Sequence, residues 1–131
     1  MENIEEVRAL KPRYVVVQLG ENSDAVAIGS GRLTREYGEL LQAIYDRGAE
    51  EVFCVSDWDE ASFEDPHNAA ILKAVRKFPR VHWVDITGLA KHPENYADTV
   101  LYKNEAVRWH PGDKGMQGIA EALAAVILEQ R

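Results

Sequence analysis

One cysteine is all that the 131 residues contain, so no disulfide can close within the chain. Cys54 sits in the apolar run Val52-Phe53-Cys54-Val55, where it reads as a small buried hydrophobe. Positive charge is scarce as well: 15 Lys and Arg face 22 Asp and Glu, a net charge of −7. Phosphate backbones are gripped by clustered cations, and no compensating basic stretch offsets the deficit, so nucleic acid is not expected as a partner. No apolar run nears the roughly 20 residues that cross a bilayer, so no membrane partner is expected either. The start Met1-Glu2-Asn3-Ile4-Glu5-Glu6 lacks the basic and apolar regions of a signal peptide, which makes the cytoplasm the expected compartment. A chain that had lost its natural start would have lost any signal with it.

Metal and phosphate chemistry are short of residues too. His67, His82 and His92 do not have metal-ligand spacing. Asp57, Asp59, Glu60, Glu64 and Asp65 lack the calcium-loop pattern and read as a solvated acidic loop. No glycine-rich phosphate loop of standard spacing is present, so neither a metal nor a cofactor is expected.

What the chain does have is apolar material, 46% of its residues, enough for the core of one domain over residues 1–131. Ile4, Val7 and Leu10 recur at helical spacing before Pro12. Tyr14 to Leu19 is a nearly unbroken β-branched run, as in a strand covered on both faces of a parallel sheet. After a loop over residues 21–32, Tyr37, Leu40, Leu41 and Ile44 mark a helix over 33–47, with Gly48 past its end. Val52 to Val55 reads as a second strand, Pro66 to Phe78 as a helix stopped by Pro79, and Val81 to Ile86 as a third strand. An irregular stretch, about residues 87–111, is long enough to be functional or to hold short helices. Asp113 is placed to cap a last helix carrying Met116, Ile119, Ala120, Leu123 and Ile127 on one face.

Alternating helices and strands predict a three-layer α/β sandwich around a parallel sheet. In such sheets chemistry gathers beyond the carboxyl ends of the strands. The loops after the strands carry Gly20-Glu21-Asn22, Ser56 to Asp65 and the 87–111 stretch.

Two segments there are chemically loaded. Val15-Val16-Val17-Gln18-Leu19-Gly20-Glu21-Asn22 delivers Gly-x-Asn from a buried strand, and Trp109-His110-Pro111-Gly112-Asp113-Lys114-Gly115 leads into the last helix. Each alone is ordinary, since Gly-x-Asn suits many turns and His-Pro precedes many helices. As an ordered pair on this secondary structure they resemble the third and fifth sequence blocks of the SGNH/GDSL-type ester hydrolases. The resemblance covers essentially the whole chain, but only the C-terminal part of the family domain. It implies a flavodoxin-like SGNH hydrolase fold without its first two strands. It further implies Asn22 as an oxyanion-hole donor, His110 as general base, and short acyl esters as substrates, with acetyl groups on a carbohydrate as one candidate.

The chain departs from that family in two ways. The Gly-Asp-Ser block that supplies the nucleophile is absent, as is the glycine block of the oxyanion hole, and none of Ser23, Ser30, Ser56 and Ser62 replaces the missing serine. The acid usual three residues before the histidine is replaced by Val107, with Glu105 as a substitute candidate for orienting His110. Trp58 could line a substrate pocket or anchor its loop. Without two neighbouring strands, residues 14–19 would form a bare apolar edge. A homo-oligomer or a second polypeptide pairing with that strand is therefore expected. Three functions stay open: an ester hydrolase whose serine lies elsewhere, an inactive homologue serving in binding or assembly, and an unrelated flavodoxin-like binding module.

Overall fold

The computed structural model describes residues 12–19, 29–58 and 66–130. Within them run strand β1 (Tyr14–Val17), helix α1 (Ser30–Tyr45), β2 (Glu51–Val55), α2 (Pro66–Val75), β3 (Val81–Val84), the short α3 (Thr99–Tyr102) and α4 (Asp113–Glu129). The strands are parallel and lie side by side in chain order, with Val15 opposite Val52 and Phe53 opposite His82. The helix expected over residues 2–10 lies outside the described residues.

β2 is central and shows why the strands are so apolar. Its side chains alternate, and both faces are covered. Val52 and Cys54 meet Tyr37, Leu41 and Ile44 of α1 and Ile71, Ala74 and Val75 of α2. Phe53 and Val55 meet Ile119 of α4, with Ala122, Leu123, Val126 and Ile127 packed around them. Helices therefore cover both faces of the sheet, a mixed α/β architecture in three layers. Thr34 ties the two helices of one layer together by donating to the Ala70 carbonyl at 3.0 Å.

The element ends differ from the sequence expectation for local reasons. α1 begins at Ser30, ahead of the apolar stripe, because its first residues are helical yet exposed. Gly48 takes φ +89° beyond the last turn, the left-handed closure that favours glycine. α2 gives way after Val75 to tight turns, in which Lys77 and Phe78 donate to carbonyls three residues back. β3 stops at Val84, because the Ile86 amide donates to the Ser56 hydroxyl at 2.9 Å instead of continuing the ladder.

Candidate functional site

The carboxyl end of β2 leads into Ser56, Asp57 and Trp58, all buried. Asn68, arriving from α2, accepts the Asp57 amide on Oδ1 at 2.9 Å and is itself fully buried. Asp57 is only 4% exposed, so the solvated acidic loop does not begin with it. Trp58 is an anchor of this end of the sheet: it is 5% exposed and meets Tyr96 edge-on at 5.5 Å between ring centroids.

The stretch after β3 is held by its own polar side chains rather than by a regular ladder. Asn95 Nδ2 donates to the Leu89 carbonyl at 2.9 Å, and the Tyr96 hydroxyl to the Ala90 carbonyl at 2.8 Å. Asp98 caps α3 by accepting the Val100 and Leu101 amides. Lys103 closes α3 in the left-handed region at φ 51°, and Asn104 opens a single 3-10 turn over Glu105–Trp109 by accepting the Ala106 amide. That turn delivers His110.

Backbone contacts then pin the histidine segment. The Ala97 amide donates to the His110 carbonyl at 2.9 Å, Gly112 donates to the Asn95 carbonyl at 2.8 Å, and Tyr96 bridges Pro111. A Cβ on Gly112 would lie 2.7 Å from the Tyr96 carbonyl oxygen, and one on Gly115 would lie 2.9 Å from Trp58 Cη2. Only glycine lets α4 start this close to Trp58. Gly115 therefore rests against Trp58 in the loop that follows β2, Pro111 pairs with Tyr96, whose ring meets Trp58, and His110 stands at the carboxyl end of the sheet.

The imidazole is exposed and forms no hydrogen bond with a described residue. Glu105 is exposed and is not bonded to it. Asp113 is not the cap of α4: the cap position is Gly112, no side chain caps it, and Asp113 instead lies in the first turn, where its charge suits the helix dipole. The Tyr102 hydroxyl donates to it at 3.5 Å. Asn22, the other half of the pair, lies outside the described residues, as do Ser23 and Ser62.

A concavity among the described residues flanks the histidine without including it. It measures about 690 Å³ and is lined by Tyr96, Ala97, Asp98, Arg108 and Trp109, together with Lys91 and its neighbours. Trp109 is 64% exposed, and the Arg108 guanidinium lies over its ring at 4.6 Å. Glu94, on the rim, donates no proton at neutral pH. Its own backbone amide and Lys114, 3.3 Å away, hold its carboxyl below the ordinary range.

Among the described residues, no three His, Cys, Asp or Glu side chains converge to hold a metal ion, and no helix is long and apolar enough to cross a membrane. Sequence reasoning missed Ser56 and Asn68 as buried polar links. For Ser56 the local signal is a polar residue directly after an apolar strand, whereas Asn68, inside α2, carries none. Comparison with known protein families finds no family model that matches this chain, and no curated protein matches its sequence.

Proposed function

We propose that this chain carries part of an SGNH/GDSL-type ester-hydrolase site for short acyl esters. In that reading Asn22 is the oxyanion donor and His110 the general base, and the nucleophilic serine comes from outside the chain. What supports the reading most is where His110 sits: at the carboxyl end of a parallel sheet, beside the loop after β2. β1 also runs parallel to β2, so its own carboxyl end, at Val17, lies at that end of the sheet. Attack on the ester carbonyl puts negative charge on its oxygen, and the Asn22 side-chain N–H would stabilise it. His110 would take the proton from the attacking hydroxyl and return it to the departing alkoxide.

A second reading has its own support. The His110 ring has no orienting partner among the described residues, which suits a homologue that keeps the fold for binding or assembly. The two readings separate on an activated ester such as p-nitrophenyl acetate, where water can stand in for the missing serine. The hydrolase reading predicts slow turnover above the buffer rate, lost in His110→Ala and lowered about a hundredfold in Asn22→Ala. It also predicts that a serine-directed phosphonate labels no residue of this chain. Turnover indistinguishable from buffer, or unchanged in His110→Ala, would leave the non-catalytic reading standing.

A further inference from the structure

The outer edge of β1 carries an inference independent of the ester chemistry. The Glu50 and Glu51 amides both donate to the Arg13 carbonyl, at 2.8 and 3.3 Å. Because strand backbones alternate, Arg13, Val15 and Val17 turn their polar groups toward β2, and Tyr14 and Val16 turn theirs outward. No described strand lies on that side. The side chains of Tyr14 and Val16 are 41% and 48% exposed, on the sheet face that α1 and α2 leave uncovered.

β3, the opposite edge, is different. Val81 and Val84 are buried there, and Arg80 and Asp85 flank the strand. Edge strands are commonly guarded by charges, a central proline or a bulge. Residues 12–19 contain no carboxylate, and their single charge, Arg13, is already paired with Glu50. In a chain of net charge −7 this is a seam along which a second copy can approach without facing like charge.

We propose that two copies of this chain pair through β1, antiparallel, about a two-fold axis that passes between their Val15 residues. Tyr14 then exchanges both backbone hydrogen bonds with the partner's Val16, and Val16 does so with the partner's Tyr14. Val15 faces the partner's Val15 as a non-hydrogen-bonded pair, and the three strands of each copy join into one sheet. Each Tyr14 ring lies beside the partner's Val16, an aromatic and β-branched cross-strand pair. A four-residue seam buries less than the roughly 1,200 Å² of a standard interface, so the dimer dissociates in the micromolar range.

Sedimentation of the full chain across micromolar concentrations tests this. A reversible monomer–dimer equilibrium is expected, weakened at least about tenfold by Val16→Lys, a change at a half-exposed side chain that leaves the circular dichroism unaltered. Under mild oxidation Val15→Cys should cross-link into a covalent dimer and Tyr14→Cys should not, because only residue 15 meets its own copy. The natural Cys54 is buried and gives no background. A monomer throughout, an open-ended assembly, a dimer indifferent to Val16→Lys, or equal cross-linking at both positions would overturn the proposal.

Discussion

Cys54 shows how far a single residue depends on the layers around it. It is wholly buried between the sheet and α1, and burial pushes its thiol up to about 12. The Tyr37 hydroxyl lies against it without completing hydrogen-bond geometry, and burial raises that phenol above its ordinary range too. Both groups ionise earlier in the unfolded chain, from ordinary values of 9.0 and 10.0. The unfolded state therefore sheds protons that the native state keeps, and stability falls with rising pH. The Cys54 contribution is complete below about pH 9 and is lost between there and about pH 12, whereas that of Tyr37 starts to be lost only above about pH 10, each by roughly 1.4 kcal/mol per pH unit within its own window. Urea midpoints measured against pH should hold steady to pH 9 and then decline, and a thiol reagent should label Cys54 only after unfolding. The burial of Cys54 is legible in its apolar run. That of Asp57 is not, because the residue that buries it, Asn68, arrives from the next helix.

Among the elements, α4 is the one whose seating decides where His110 stands. Its sequence stripe places Met116 and Ala120 on the packed face, yet both are exposed, and Ala122 and Val126 pack in their stead. The reason lies one residue earlier. Gly115 is pressed against Asn95, Pro111 and Trp58, and the next residue, about 100° around the helix, turns outward. Gly115→Ala should cost about 1–3 kcal/mol, since its methyl would meet backbone and a fixed indole. At Gly118 a methyl meets only the flexible end of Leu89, about 3.0 Å away, and alanine gains roughly 1 kcal/mol of helix propensity. Gly118→Ala should thus be neutral or mildly stabilising, and urea unfolding of the pair measures the contrast. The periodicity made the helix legible. Its rotation about its own axis was set by contacts with a loop that the local pattern does not describe.

At the scale of the whole molecule, the alternation of helices and strands was enough to foresee a parallel sheet between two helical layers, because continuous apolar strands require cover on both faces. The charge distribution was less legible. Lys73, Arg76, Lys77 and Arg80 put four cations within eight residues at the end of α2, a local basic stretch that corrects the expectation of none. They lie where the chain enters β3, at the amino end of the strands, away from His110. Of the proposed site only the His110 half falls among the described residues, and that Asn22 meets it remains the proposal, because the approach of two distant segments is not written in either one's local pattern. That meeting is the central claim, and a nitroxide label tests it most directly. With Asn22→Cys labelled, and Cys54 shielded by burial, the account predicts that the imidazole signals of His110 broaden beyond detection while those of His92 and His82 persist in greater measure. His110 signals that stay sharp would contradict it.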